Sequence, residues 1–238
     1  MKCMKIYCSN IDVNFDGHDY LKKVDFSINQ GERVLLYGPS GSGKTTFFKI
    51  LCGLDKPTDP SGTVYWDDYS VDSLEKSNRV RYRYISMIYS LFFFLENLNV
   101  EKNILLPALF SGEEQTRVRQ RLEMVYDVFS FGSAMDNLNL KDLSGRSING
   151  LSNGQKELVG IARAFMLDSP FIFADELLRS YNKEAEEVIW EKVLSTPDLG
   201  IGKERGFFMI THKEHLRNDS RIDRVMTIEN CKLVEMAR

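Results

Sequence analysis

The segment GPSGSGKT, residues 38–45, constrains the fold more than any other part of this sequence. It satisfies the pattern G-x-x-x-x-G-K-[ST], in which glycines let backbone N–H groups turn inward around phosphate oxygens. The preceding RVLLY, residues 33–37, predicts a short buried strand, and the following TTFFKILCGL predicts a helix that extends to Leu54. Strand, glycine loop and helix form the context that this motif requires, so we expect the chain to bind phosphate groups rather than to make an ordinary turn here.

Each part of this P-loop has a chemical role toward a nucleoside triphosphate. Lys44 is expected to reach the β- and γ-phosphates, and the hydroxyl of Thr45 is expected to ligate Mg²⁺. The N-terminus of the following helix adds partial positive charge. The residues predicted to bind the nucleotide are Gly38, Pro39, Ser40, Gly41, Ser42, Gly43, Lys44, Thr45 and Thr46.

A second segment, SPFIFADE, supplies the acidic partner that a P-loop needs for Mg²⁺. Residues 171–174 predict a buried strand, and Asp175 and Glu176 follow at its carboxyl end, which faces the ligand in open parallel α/β sheets. Asp175 is predicted to hold Mg²⁺ through water, and Glu176 to activate the attacking water as a general base. An acidic pair that only caps a strand end is the alternative, and the P-loop in the same chain favours the catalytic interpretation.

Composition narrows the class of protein. The chain has 238 residues, of which 43% are hydrophobic and 27% charged, as in an ordinary globular protein with one large domain or a domain carrying a smaller lobe. A net charge of -3 argues against nucleic acid as a partner. The longest apolar run, residues 85–95, is shorter than the roughly 20 residues that cross a bilayer as a helix. We expect no membrane span, no signal peptide and four reduced cysteines.

The pentapeptide LSNGQ, residues 151–155, gives these motifs a common interpretation. The chain resembles the ATPase subunit of an ABC transporter over nearly its whole length, since that family carries the signature LSGGQ at the corresponding place. In the family two subunits pair head to tail, and the signature of one closes over the ATP held by the other. The resemblance implies that the loop contacts the nucleotide in trans, through a hydroxyl, backbone N–H groups and a helix dipole. The residues concerned are Ser152, Asn153, Gly154 and Gln155.

The resemblance also assigns three residues whose roles their local sequence leaves open. Phe15 stands where the family stacks an aromatic ring on adenine, although a strand aromatic in the core is an alternative. His212 follows the strand predicted for residues 207–211 and would contact the γ-phosphate, where a lone histidine would otherwise be a solvent-facing or capping residue. Ser90 replaces the glutamine of the family's Q-loop, and its shorter side chain could reach Mg²⁺ only through an added water molecule.

Other positions depart from the family pattern. Leu177 and Asn182 replace the proline and aspartate that the family has after its acidic pair, Leu158 replaces an arginine, and Asn153 replaces a glycine. Because these changes fall on parts that couple the two subunits and the membrane partner, we expect normal ATP binding and hydrolysis with unusual coupling. Slow turnover, or work beside a second and more standard ATPase subunit, would follow from that.

The fold implied by the resemblance is α/β, a P-loop NTPase with a RecA-like core, an N-terminal antiparallel β-subdomain and an inserted helical subdomain. Residues 1–89 and 166–238 would form the core and β-subdomain, and residues from about 90 to 165 the helical subdomain. SGTVYWDD resembles the antiparallel lobe. RVRQRLEMVYDVF predicts a helix whose core residues are Val118, Leu122, Val125 and Phe129. RVMTIENCKLVEM predicts a final hairpin that turns at Glu229 and Asn230.

The function implied is that of an ATP-binding, ATP-hydrolysing subunit with ATP and Mg²⁺ as cofactors. It would lie at the cytoplasmic face of the cell membrane, beside a second ATPase subunit that is identical or a paralogue. NVEKNILLPALFSG is similar to the macrolide-exporter and lipoprotein-release branch, which implies export or extraction of a peptide, lipoprotein or hydrophobic compound.

A separate membrane permease is the expected partner, through residues 90–98. Three consecutive phenylalanines, Phe92, Phe93 and Phe94, cannot all face one way on a regular element, so at least one should be exposed. Two alternatives to the transport motor are a weakly catalytic or regulatory subunit of a heteromeric complex, and a soluble ABC-type ATPase not tied to transport. A single P-loop and the lack of a long coiled coil disfavour the second alternative.

Overall fold

The computed structural model describes residues 3–71, 74–89, 93–135, 138–195 and 205–237. The strands are β1 (Lys5–Phe15), β2 (His18–Asn29), β3 (Arg33–Tyr37), β4 (Thr63–Trp66), β5 (Tyr69–Ser70), β6 (Ile85–Ile88), β7 (Phe171–Asp175), β8 (Gly206–Thr211), β9 (Arg224–Glu229) and β10 (Lys232–Glu235). The helices are α1 (Lys44–Leu51), α2 (Leu74–Val80), α3 (Val100–Ser111), α4 (Gln115–Val128), α5 (Leu140–Leu143), α6 (Asn153–Phe165) and α7 (Lys183–Ser195). The chain divides into two compact units. Unit 1 comprises Met1–Ile85, Ser169–Glu176 and Arg205–Arg238, and unit 2 comprises Ser86–Asp168 and Leu177–Glu204.

A four-stranded antiparallel sheet of order β2-β1-β4-β5 lies in unit 1. Strand β1 pairs with β4 so that Ile6 faces Trp66 and Cys8 faces Val64. All four side chains are buried, because successive residues of a strand alternate between the two faces of the sheet. The indole Nε1 of Trp66 donates to the carbonyl of Leu51 at 2.8 Å, which fixes the sheet to the end of α1. This sheet is the antiparallel lobe predicted from SGTVYWDD.

The second sheet has six strands in the order β10-β9-β3-β8-β7-β6. Strand β3 runs parallel to β8 and β9, and β8 runs parallel to β7. Val34, Leu35 and Leu36 are all buried in β3, as expected for a parallel strand covered on both faces. Helix α1 contacts β1, β7 and β8, and the rings of Phe173 and Phe208 lie 5.0 Å apart beneath it. Apolar packing in unit 1 therefore fixes the position of the loop between β3 and α1.

Two predicted boundaries are wrong by one to three residues, and backbone conformation explains both. The helix predicted to reach Leu54 ends at Leu51, because Gly53 has a φ of +60° and its N–H turns back to the carbonyl of Ile50 at 2.9 Å. The final hairpin turns at Asn230 and Cys231, one residue later than predicted. These two residues have positive φ angles of 49° and 60°, which a two-residue hairpin turn requires.

Unit 2 is mainly helical. Helix α3 packs against α6 and α4, and the rings of Phe129 and Phe165 lie 5.6 Å apart in the core. Arg121 of α4 is buried and donates to Glu113 at 2.7 Å and to the carbonyl of Met166 at 3.0 Å, so its charge is compensated. All four predicted core residues are buried, namely Val118, Leu122, Val125 and Phe129, although the helix ends at Val128 and Phe129 is its C-cap. Among the described residues, none of the helices combines the length and apolar character needed to cross a bilayer.

Candidate functional site

The P-loop connects the carboxyl end of β3 to the first turn of α1 in unit 1. Gly41 and Gly43 have φ angles of 80° and 93°, which side-chain-bearing residues rarely adopt. A Cβ atom on Gly43 would also lie 3.1 Å from the Cβ of Tyr20. The backbone conformation therefore strongly favours glycine at this position, and a side chain would also press on Tyr20.

The ammonium group of Lys44 lies at the centre of the loop. Its Nζ donates to the carbonyls of Gly38 at 2.8 Å and Pro39 at 2.7 Å, and lies 3.5 Å from the hydroxyl of Ser42. Burial lowers the pKa of Lys44, and the nearby carboxylates of Glu176 and Asp175 oppose that shift. The side chain is thus held against the loop by oxygen acceptors that resemble those of a phosphate chain.

Three neighbouring parallel strands deliver the predicted catalytic residues to one edge of the sheet. Tyr37, the last residue of β3, pairs with Thr211, and Asp175, the last residue of β7, pairs with Ile210. The N–H of Gly38 donates to the carbonyl of Thr211 at 3.3 Å. Because the strands are parallel, their carboxyl ends meet at this edge, where the P-loop, the acidic pair and His212 follow directly.

Glu176 and His212 are in direct contact. The Oε1 atom of Glu176 lies 2.9 Å from Nδ1 of His212, and the glutamate side chain is 15% exposed. The N–H of Glu176 donates to the carbonyl of Ile210 at 3.0 Å, and its φ of 50° is unusual for a residue other than glycine. Such left-handed residues persist only where the surroundings hold them, and they are common at functional sites.

A cavity of about 320 Å³ lies at this edge, within the size range of small-ligand sites. It is lined by Phe15, Tyr20, Ser40, Gly41, Gly43, Lys44, Thr45, Thr46 and Glu176. Phe15 is 52% exposed, so the alternative that it fills the core is wrong. Its ring meets that of Tyr20 edge to face at 6.1 Å, and the two aromatics form one wall of the cavity.

The oxygen ligands predicted for Mg²⁺ fit that ion's chemistry. The hydroxyl-bearing Thr45 lines the cavity, and Asp175 ends the strand beside it. Mg²⁺ usually takes one or two protein oxygens together with phosphate and water ligands. Among the described residues, no group of three or more histidine, cysteine, aspartate or glutamate side chains is placed to hold a metal ion. Ser90, the third predicted ligand, lies outside the described residues.

The LSNGQ residues lie in unit 2, at the start of α6. Ser152 is the N-cap: its hydroxyl accepts from the N–H of Gln155 at 3.2 Å, and the Gln155 side chain accepts from the N–H of Ser152 at 3.1 Å. This capping box fixes the shape of the loop at the helix N-terminus. Asn153 is exposed and Gly154 half-buried. A cavity of about 970 Å³ is lined by all four residues together with residues 179–182.

The described part of the predicted permease-binding segment, residues 93–98, has a fixed backbone and exposed apolar side chains. The carbonyl of Phe93 accepts from Arg163 at 2.7 Å, while its ring is 78% exposed. The buried amide of Asn103 bonds the N–H and carbonyl of Leu95 and the carbonyl of Leu98. The prediction that at least one of the three phenylalanines is exposed is confirmed by Phe93, whereas Phe92 lies outside the described residues.

Several departures from the family pattern have local structural roles. Asn182 accepts from the N–H of Ala185 at 2.9 Å and so caps the N-terminus of α7, a task that asparagine and aspartate perform about equally. Leu158 and Leu177 are both buried. Each therefore packs as an apolar residue where the family pattern has an arginine or a proline.

Three residues of these sites escaped the sequence analysis. Tyr20 lines the P-loop cavity. Tyr181 donates to the carbonyl of Gly154, and Glu157 accepts from the N–H of Arg179, beside the cavity that the LSNGQ residues line. A signal for Tyr20 exists: Asp16 and Gly17 form the dipeptide typical of a two-residue hairpin turn. That turn folds Tyr20 back toward Phe15. The contacts of Tyr181 and Glu157 join distant parts of the chain and have no local signal.

Comparison with known proteins identifies the relatives of this chain. Residues 21–179 match the family described as ABC transporter. The macrolide export ATP-binding/permease protein MacB of Campylobacter jejuni is 34% identical over 173 residues, which are 72% of this chain and 25% of that protein. This chain thus spans about a quarter of MacB. The lipoprotein-releasing system ATP-binding protein LolD of Idiomarina loihiensis is 28% identical over 231 residues, 94% of this chain and 93% of that protein.

A solved structure supports the predicted fold. It is described as the dimeric post-hydrolysis state of an ATP-binding cassette bound to ADP and Pi, and it matches 98% of this chain and 99% of that chain. The TM-score is 0.78 at 23% sequence identity, a likeness that establishes the fold. The predicted P-loop NTPase fold, with parallel and antiparallel sheets, is therefore confirmed.

Proposed function

This chain belongs to the ABC transporter family, as an ATP-hydrolysing, ATP-binding subunit of the MacB and LolD type, and we propose that it uses ATP to drive a separate membrane permease. The observation that carries the catalytic part is Glu176. It lines the same cavity as the P-loop and is held by His212 at 2.9 Å. A carboxylate oriented beside a phosphate-binding loop is placed to activate water.

ATP binding in this proposal begins at Lys44. Its ammonium donates to the carbonyls of Gly38 and Pro39, and phosphate oxygens would take over these hydrogen bonds. Charge-assisted bonds to phosphate are stronger than bonds to neutral carbonyls, so the exchange favours the nucleotide. The N-terminus of α1 adds its N–H groups, and the aromatic wall of Phe15 and Tyr20 receives the base.

Hydrolysis in this proposal depends on the Glu176–His212 pair. Glu176 accepts a proton from the attacking water, and His212 fixes the carboxylate and approaches the γ-phosphate. If Nδ1–H donates to Glu176, the ring can donate to phosphate through Nε2 only as the imidazolium. Mg²⁺ held by Thr45 and Asp175 would neutralise phosphate charge.

A second ATPase subunit completes the site. The capping box fixes Ser152 and Gln155, so the N-terminus of α6 presents a preformed loop to the nucleotide of the partner subunit. We take unit 1 as the RecA-like core with the β-subdomain, and residues 86–168 of unit 2 as the helical subdomain with the signature.

The permease is proposed to dock on residues 90–98 at the cytoplasmic face of the membrane. Phe93 and Leu95 are 78% and 50% exposed on a backbone fixed by Arg163 and Asn103. Exposed apolar side chains on a rigid segment favour a protein partner. The proposed cargo is a peptide, lipoprotein or hydrophobic compound, and the names of LolD and MacB favour a lipoprotein or a macrolide-like compound.

Photo-crosslinking in the native cell tests the permease. p-Benzoylphenylalanine at position 93 should crosslink to a polytopic membrane protein identified by mass spectrometry. The same group at Val234, which is 39% exposed in unit 1, is the control and should not give that product. Crosslinks from position 93 to soluble proteins alone, in cells where the chain hydrolyses ATP, would reject the permease while leaving the ATPase intact.

A further inference from the structure

A half-buried tyrosine hydroxyl holds the LSNGQ loop from within the same chain. The Oη atom of Tyr181 donates to the carbonyl of Gly154 at 2.6 Å. A Cβ atom on Gly154 would lie 3.2 Å from the tyrosine ring. Burial, and then the charge of Glu157, raise the pKa of Tyr181, so the hydroxyl stays protonated and remains a donor. A side chain at position 154 would therefore press on the tyrosine ring, which favours glycine there.

A buried carboxylate makes a second connection between the same segments. Glu157 of α6 is 2% exposed. Its Oε1 accepts from the N–H of Arg179 at 3.0 Å, and its Oε2 accepts from the N–H of Ser180 at 3.1 Å. A buried carboxylate is costly unless it is hydrogen-bonded, so these two N–H groups are needed as much as the carboxylate is.

In both connections the donors lie before α7 and the acceptors lie at the start of α6. Donors at positions 179, 180 and 181 meet acceptors at positions 154 and 157, so the start of α6 and the turn before α7 are joined at three points. The same two segments line the cavity of about 970 Å³. We propose that Tyr181 and Glu157 are positioning residues that lock the LSNGQ loop to residues 179–182, so that both meet the partner's nucleotide as one preformed surface.

This lock explains how the loop can act without reshaping. In the capping box the oxygens of Ser152 and Gln155 both accept, so the hydroxyl proton of Ser152 and the N–H groups of Asn153 and Gly154 at the start of α6 remain as donors for phosphate. Their direction is set by the helix N-terminus, which Tyr181 and Glu157 hold in place. The proposal rests on the proposed function in one respect, namely that the loop acts on ATP in trans.

Amide hydrogen exchange of the purified chain tests the lock directly. Tyr181→Phe removes one hydroxyl, and the amides of Gln155 and Lys156, which donate to Ser152, should then exchange roughly tenfold faster, because the loop loses the bond that stabilises its closed form. Tyr126→Phe is the matched control: its hydroxyl also donates in unit 2, to Glu101 at 3.1 Å, and its ring is buried. Unchanged exchange at Gln155 and Lys156 in Tyr181→Phe would overturn the lock, as would equal acceleration at these two amides in Tyr126→Phe.

Turnover separates the lock from the proposed function. Tyr181→Phe should lower kcat by roughly tenfold and leave KM for ATP unchanged, because the P-loop lies in unit 1 and makes its own contacts. Glu157→Gln should change kcat in the same direction. Faster loop exchange with unchanged kcat would overturn the positioning role. An inactive wild-type chain would contradict the proposed function, and the exchange experiment would still decide the lock.

Discussion

Nδ1 of His212 lies 2.9 Å from Oε1 of Glu176, which joins the ends of two neighbouring parallel strands beside the P-loop. Glu176 is fixed at its backbone too, by the bond from its N–H to Ile210. A carboxylate held at both ends loses little freedom when it accepts a proton. That is the property expected of an oriented general base.

The first prediction separates the chemistry of this pair from its orientation. Glu176→Gln should lower kcat by about 10²-fold or more, because the amide cannot accept the proton. His212→Ala should lower it by roughly tenfold, because Glu176 keeps its chemistry but loses the contact that orients it. Phosphate release measures kcat, and equilibrium binding of a fluorescent ATP analogue should be unchanged in both. His215→Ala is the control, and equal losses in the two histidine variants would contradict this account.

The aromatic wall gives the second prediction. Phe15→Ala should weaken ATP binding by roughly tenfold or more, since stacking of a base on an aromatic ring contributes about 1–3 kcal/mol. Phe15→Trp should retain affinity, and Tyr20→Ala should lose part of it because Tyr20 supports the ring of Phe15. Titration of a fluorescent ATP analogue measures the Kd. Phe93→Ala, which changes an exposed phenylalanine in unit 2, is the control. A Phe15→Ala variant with wild-type affinity would remove the base from this wall.

The third prediction concerns Asn182, the cap of α7. Asn182→Ala should lower the free energy of unfolding by about 1 kcal/mol, and Asn182→Asp should leave it nearly unchanged, because aspartate accepts the same N–H. Urea unfolding measures both.

The family-like pair of substitutions Ser90→Gln and Asn182→Asp should raise turnover by the complex if these departures weaken coupling. Unchanged turnover would mean that they are neutral.

Burial of Cys8 gives a pH-dependent prediction. Burial raises the pKa of this thiol from 9.0 to about 12. The folded chain therefore holds the proton more tightly than the unfolded chain, so stability from this group is complete below pH 9 and is lost as the pH rises toward 12. This loss is at most about 1.4 kcal/mol per pH unit.

Urea unfolding at several alkaline pH values tests that dependence. Cys8→Ala should have a shallower fall of the free energy of unfolding with pH than the wild type. Cys3→Ala, which removes an exposed thiol, should have the wild-type slope. Parallel curves for all three proteins would show that Cys8 does not titrate in this range.

Local patterns in the sequence identify much of the fold and of unit 1's site. The motif at residues 38–45 identifies a phosphate-binding loop, and it predicts a strand before the loop and a helix after it, because this order of glycines and lysine occurs in that context. The strand β7 is recognisable as a continuous apolar run, residues 171–174, that is followed by Asp175 and Glu176. Parallel pairing then brings Asp175 and His212 to the P-loop edge, a consequence that the α/β topology makes predictable.

Contacts between distant segments could not be predicted in the same way. Tyr181 and Gly154 are 27 residues apart, and neither hydrogen-bonding partner is marked by periodicity or a turn signal. The family pattern has proline at position 177, and the leucine found there gave no indication that its side chain is buried, because burial depends on packing in unit 2. The helix end at Leu51 likewise depends on Gly53 and Trp66, which approach only in the folded chain.

The most direct test of the central claim is the mass of the Glu176→Gln variant in solution, measured by light scattering with and without ATP. The claim is that a P-loop in unit 1 and an LSNGQ loop from a second subunit enclose one ATP. The account predicts a monomer without nucleotide and a dimer with ATP, and the added change Lys44→Ala should abolish the dimer. The result that would contradict this claim is a Glu176→Gln variant that binds ATP but does not pair with a second ATPase subunit, either alone or when bound to the permease.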